Sequence, residues 1–106
     1  MITYDEFKKV ELKVAKVISA ERIEGSDKLL KLQVSLGEEQ RQIIGGIGKI
    51  YSPEEIVGKN IVIIANLEPR ILMGLESQGM LLAADDSGKP VLLTPMGDAP
   101  PGSSVR

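Results

Sequence analysis

The sequence predicts an all-β domain, a small five-stranded barrel with short capping helices and a carboxyl-terminal extension. Three observations carry that expectation. Apolar and polar residues alternate at a period of two across Val10–Val14 and Leu30–Leu36. The first alternation slips phase at Ala15 and Lys16 before Val17 and Ile18 resume, as a bulge or a strong strand bend requires. Turn-forming clusters, EGSDK and GEEQ, separate the alternating runs. With 106 residues there is room for one domain and one modest core.

Taken in chain order, ITYDEFKK opens on a capping-box spacing between Thr3 and Glu6, with Ile2 and Phe7 placed as a hydrophobic staple. This predicts a helical segment over 1–9 of only a turn or two, because alternation begins at Val10. Leu30, Leu32, Val34 and Leu36 then mark a half-buried second strand. RQIIGGIG is a third strand, whose glycines suit a barrel's curl or a close partner. YSPEEIVG repeats the capping logic, with Ser52 as N-cap, Pro53 first in the helix, Glu55 closing the box and Gly58 as stop. Ile61–Ala65 is a fourth strand and Gly79–Asp85 a fifth, with the stretch between them read as a loop. Three curved strands, a short helix and two more strands are the order of an OB-fold barrel, spanning 10–86. Residues 87–106 follow as an extension with one short apolar strand. The runs IVIIA and MLLAA are apolar on successive residues, so their outer faces must be covered. The amino-terminal helix, the extension or a second subunit could each cover them.

Composition excludes much chemistry. The chain contains no cysteine and no histidine, which removes disulfides, thiolate nucleophiles, cysteine zinc sites and the commonest general base. Without a histidine partner Ser77 is a poor nucleophile, and the scattered carboxylates build no metal site. A non-catalytic domain with no cofactor and no metal is expected. The longest apolar runs fall far short of the roughly 20 residues that cross a bilayer, and no charged-then-apolar leader opens the chain, so no membrane role and a cytoplasmic location are expected.

Net charge is −2, but its distribution is uneven. Lys8–Lys49 holds nine basic residues against six acids, whereas Ile71–Arg106 holds two against four. A polyanion feels the local distribution within a Debye length, not the sum. Barrels of this class often stack single-stranded bases on aromatic rings. This chain has only Tyr4, Phe7 and Tyr51, all in or beside the two helix caps. The residues therefore favour a reader of backbone and shape, using cations and polar groups against phosphate and ribose. The candidates are Lys28, Lys31, Arg41, Lys49, Asn66, Arg70, Ser77 and Met80. In NLEPRILMGLESQGMLLAA, Pro69 precedes Arg70, whose guanidinium can bridge phosphate oxygens. Asn66 and Ser77 both donate and accept. Gly74 and Gly79 would let a backbone approach, and Met80 can rest on a base face.

The run from Asp27 to Asp85 resembles the tRNA-binding domain at the carboxyl terminus of many methionyl-tRNA synthetases, a module shared with free-standing dimeric tRNA-binding proteins and the endothelial monocyte-activating polypeptide. The resemblance rests on D-K-L at Asp27–Leu29, G-x-x-x-R-Q-I at Gly37–Ile43, A-N-L-x-P-R at Ala65–Arg70 and M-G-x-x-S-x-G-M at Met73–Met80. It implies a homodimer, built from terminal segments, that grips the outer corner of tRNA by shape and serves as an appendage of the synthetase body. It also gives Lys28, Arg41, Asn66, Arg70, Ser77 and Met80 contact roles. The chain departs from the family's usual D-x-R-V-G-K first strand, having Glu11, Lys13, Val14, Ala15 and Lys16. One small family of dimeric export-related chaperones that bind unfolded polypeptide is similar to the same domain and supplies the alternative reading.

Overall fold

The computed structural model describes every residue, Met1–Arg106. Its elements are α1 (Tyr4–Lys8), β1 (Leu12–Arg22), β2 (Leu30–Ser35), β3 (Gln40–Gly45), α2 (Pro53–Ile56) and β4 (Asn60–Ile64). Then come β5 (Arg70–Leu72), β6 (Leu75–Ser77), β7 (Met80–Leu81), β8 (Ala83–Asp86), β9 (Lys89–Leu92) and β10 (Ser104–Val105). Five strands in the order β3-β2-β1-β4-β7 form the antiparallel OB barrel that the alternation predicts.

Both helices start where their caps dictate. Thr3 Oγ1 accepts the Glu6 N–H at 3.2 Å while the Glu6 carboxylate accepts the Thr3 N–H at 3.1 Å. At α2 the Glu55 carboxylate accepts from both the N–H and the hydroxyl of Ser52, at 2.9 and 3.0 Å. Those bonds favour its charged form and hold its pKa below the usual carboxylate range. Ile2 is 68% exposed, so the expected staple with Phe7 covers little and the cap alone shapes α1.

Strand β1 is the spine. Its first half, Leu12–Lys16, pairs with β4, and its second half, Lys16–Arg22, pairs with β2. A register shift between Val17 and Ser19 lets one strand serve both neighbours. The phase slip in the sequence is therefore real, although Ile18 stands in the bulge and is exposed. Leu30, Leu32 and Val34 on β2 meet Ile43 on β3 and Ile61 and Ile63 on β4 in one fully buried cluster. Each such side chain contributes roughly 1.5–3 kcal/mol relative to exposure.

Two elements differ from the sequence expectation. The stretch after β4 is a hairpin, β5–β6, rather than an irregular loop; Met73 and Gly74 at its tip both have positive φ, 50° and 79°, and form a tight two-residue turn. The expected fifth strand breaks at Leu82. Its first part stays on β4, and its second forms the hairpin β8–β9, which crosses the expected boundary after residue 86.

The extension is ordered by what it touches. The Leu92 N–H donates to the Tyr51 hydroxyl at 3.1 Å, and β10 pairs with β1 at Leu12 and Lys13. Thus the tail takes the edge of β1 that β2 leaves free. It covers part of the outer apolar face, where Leu12, Val14, Val62, Leu82 and Leu93 still line an open groove of about 580 Å³. Gly102 makes this passage possible, since its φ is +92° and a Cβ there would run into the Leu36 carbonyl oxygen. Gly102→Ala is expected to destabilise the domain by roughly 1–3 kcal/mol, through strain and overpacking together. Urea denaturation checks this, and a midpoint equal to that of the wild type refutes it.

Candidate nucleic-acid interface

OB barrels bind along the face of their second and third strands, between the loop after strand one and the loop after strand four. Here those parts are β2, β3, the turn between β1 and β2, and the hairpin β5–β6. Strand β3 has β2 on one edge and no strand on the other. Two side chains and one main-chain bond take the missing strand's place. The Ile44 N–H donates to Ser77 Oγ at 2.9 Å, the Gln42 N–H donates to Gln78 Oε1 at 2.9 Å, and the Gln78 N–H donates to the Gln42 carbonyl at 2.7 Å. These bonds fasten the hairpin to the barrel wall.

Ser77 is consequently an interior residue, 4% exposed, and its hydroxyl is fully engaged, since it also donates to the Gly79 carbonyl at 3.0 Å. It positions the hairpin and offers no free group to a phosphate. Asn66 is exposed but likewise committed: its Oδ1 accepts the Glu11 N–H at 2.9 Å and its Nδ2 donates to the Lys9 carbonyl at 2.7 Å. It ties the exit of α1 to the end of β4, next to the Ala65 carbonyl that Arg41 holds. Arg41 pairs in register with Val34, on the inward phase of the sheet, and donates to the carbonyls of Ala65 and Gln78. Its remaining nitrogens meet the Glu39 carboxylate at 3.3 Å.

The remaining candidates face outward. Lys31 lies directly across from Glu21 and forms an ion pair with it. Lys49 stands 3.9 Å from Asp27, with both side chains well exposed, a geometry worth little in water. Lys28 and Lys49 are brought together because the Gly48 N–H donates to the Lys28 carbonyl at 2.7 Å. The Lys28 stem lies along Gly46, where a Cβ would come within 3.1 Å of Lys28 Cε. Lys28 and Arg70 are exposed and have no ion pair or side-chain hydrogen bond. These two hold uncompensated charge. Met80, 41% exposed, pairs with Ile64 on the neighbouring strand.

Sequence reasoning missed the glutamines. Gln33 Nε2 donates to Gln42 Oε1 at 3.0 Å, and Gln42 Nε2 donates to the Glu76 carbonyl at 2.8 Å. Gln42 sits inside one of the quoted motifs and Gln78 is an unspecified position of another, so spacing alone gave no sign of either. The outward phase of β2, Lys31-Gln33-Ser35, was the available signal for Gln33.

A family model described as "Putative tRNA binding domain" matches residues 12–104. The chain belongs to this tRNA-binding domain family. Within it, the chain is 59% identical over 104 residues to a methionine–tRNA ligase of Caldanaerobacter subterraneus subsp. tengcongensis, covering 98% of this chain and 16% of the ligase. A methionine–tRNA ligase of Methanothrix thermoacetophila is 54% identical over 106 residues, covering all of this chain and again 16% of the ligase. The chain therefore spans about a sixth of the length of these relatives and is homologous to their carboxyl-terminal region. Among solved structures, a MetRS related protein from Pyrococcus horikoshii superposes with a TM-score of 0.95 at 40% identity, covering 100% of this chain and 98% of that one. The chaperone CsaA from Bacillus anthracis superposes at 0.91 with 28% identity, covering 100% and 99% of the two chains.

For the family's S-x-G motif the hydrogen bonds make a definite prediction. Ser77→Ala leaves the buried Ile44 N–H without an acceptor, which costs about 1–3 kcal/mol. Ser77→Cys, similar in shape but a weak acceptor, should recover only part of that loss. Thermal and urea unfolding of the two variants measure both effects.

Proposed function

We propose that this domain binds folded tRNA without catalysing a reaction, recognising its outer corner through backbone and shape. Family membership supports the ligand class. The carrying observation is the composition of the outward face: Lys28, Lys31, Lys49 and Arg70 border it, Met80 adds a soft apolar contact, and no aromatic ring lies there. Arg70 matters most because its guanidinium is free and stands opposite Ser77, whose bonds hold the hairpin in place. A phosphate reaching Lys31 or Lys49 competes with Glu21 or Asp27, so those contacts are weaker than a count of charges suggests. Arg41, Asn66 and Ser77 hold the frame, and Lys28, Lys31, Lys49, Arg70 and Met80 meet the RNA.

On this reading the domain is a cytoplasmic homodimer and an appendage of a methionyl-tRNA synthetase body. The terminal segments suit a dimer interface, since the groove between β1, β4 and the tail is apolar and Val10, Val91, Leu93 and Met96 beside it are exposed. Linking such a domain to a catalytic body raises the local tRNA concentration there.

A second reading, binding of unfolded polypeptide, is favoured by the likeness to the chaperone CsaA and by the exposed Ile71 and Met73 on the hairpin. One titration separates the two. Folded tRNA, a length-matched unstructured RNA and an unfolded polypeptide are each titrated at two salt concentrations. Preference for folded tRNA is expected, with steep loss of affinity as salt rises. Arg70→Ala should weaken tRNA binding about tenfold and reduce the salt slope by about one, as for one lost phosphate contact. Equal or tighter binding of the polypeptide defeats the tRNA reading.

A further inference from the structure

Gln33 has no assigned role, yet its amide orientation is fixed by a chain of bonds that begins at a backbone carbonyl. The Glu76 carbonyl can only accept, so Gln42 must turn its Nε2 toward it, at 2.8 Å. Gln42 Oε1 then faces β2, where its cross-strand neighbour Gln33 must present Nε2, at 3.0 Å. Gln33 Oε1 is left with no hydrogen-bond partner in this chain. It is not buried, because no half-buried side chain of the molecule hides an unpaired polar atom. An oriented, solvent-facing acceptor thus stands in the middle of the outward face. Lys31 and Ser35 flank it along β2, and Ser19 and Gln42 lie across from it.

We propose that Gln33 is the residue by which this face distinguishes ribose from deoxyribose, its Oε1 accepting a hydrogen bond from a 2′-hydroxyl; the inference rests on the tRNA-binding reading above. A ribose rather than a base edge fits this position because the face carries no ring to hold a base plane. A backbone drawn in by Lys28, Lys31 and Arg70 therefore lies with its sugars against the sheet. The 2′-hydroxyl is the donor that RNA has and DNA lacks. Gln42 is a positioning residue, acting only through the orientation it imposes on Gln33.

The test compares a tRNA transcript with two versions carrying 2′-fluorine at all pyrimidines or at all purines, since fluorine keeps the A-form pucker and removes the donor. The wild-type domain should bind the hydroxyl form roughly three- to tenfold more tightly than one of the fluorinated forms. Gln33→Met, matched in length and apolar, should lose that preference and bind both forms as the wild type binds the fluorinated one. Gln33→Ala repeats the measurement in a second background, with melting curves confirming that each variant is folded. If Gln33 merely braces Gln42, both variants weaken all forms equally and the preference persists, which overturns the inference and leaves tRNA binding intact. Absence of any wild-type preference overturns it as well. Failure of the wild type to bind tRNA at low salt overturns the inference and its parent reading together.

Discussion

The open edge of β3 is the constraint on which the site depends. A five-stranded barrel closes only if its first and last strands meet, and here they do not pair backbone to backbone. An unpaired row of N–H groups costs about as much per group as a lost hydrogen bond, and in contact with another chain it invites strand addition. Ser77 and Gln78 resolve both problems by accepting the Ile44 and Gln42 N–H groups from the side. The same two residues end the hairpin β5–β6, so closing the barrel and aiming the hairpin are a single event. Arg41 extends the closure on the inward side, reaching the carbonyls of Ala65 and Gln78. A family motif that reads as a list of contact residues is, in large part, the seam of the barrel.

The seam explains why polar residues in one motif divide into two kinds. Arg41, Asn66 and Ser77 spend most of their side-chain hydrogen bonds internally and hold the frame. Of those left over, Arg70 is carried by the hairpin that Ser77 fastens, and Lys28 is held by the Gly48 N–H on its carbonyl. Between them stand Lys31 and Lys49, each with a carboxylate neighbour. The surface is thus nearly neutral at rest, in keeping with the net charge of −2, and its attraction to a polyanion comes from a few cations set at fixed positions.

Most of the barrel was legible in the sequence because burial there is periodic. The alternation of β2 is reproduced residue by residue, and the phase slip in β1 marks a true change of partner. Both helix starts follow from their capping residues. The hairpin β5–β6 was not legible, since its tip carries Met73-Gly74 instead of an Asn-Gly or Asp-Gly signal and its strands are only three residues long. Nor was the break at Leu82, because MLLAA is uniformly apolar and pattern cannot show where a strand leaves one neighbour for another. At the site, residue type picked out polar candidates but could not say which were already satisfied. That distinction belongs to three-dimensional hydrogen bonding, where Ser77 accepts from a residue 33 positions away and Asn66 from one 55 positions away.

On the proposed reading, modest affinity is a consequence of this architecture. A face with a few unpaired cations, no stacking ring and a few fixed polar atoms offers little to hold an isolated strand, because each ordered phosphate contact must offset the freedom the RNA loses on binding. A folded RNA has already lost that freedom. It presents phosphates and sugars at set spacings, so a rigid pattern of Lys28, Gln33 and Arg70 can engage it where a flexible strand of the same charge cannot. Preference for a folded partner then follows from rigidity on both sides and needs no base-specific contact. Joined to a larger body, as the homologous region is in the ligases of which it covers 16%, such a face contributes through effective concentration, and weak contacts suffice.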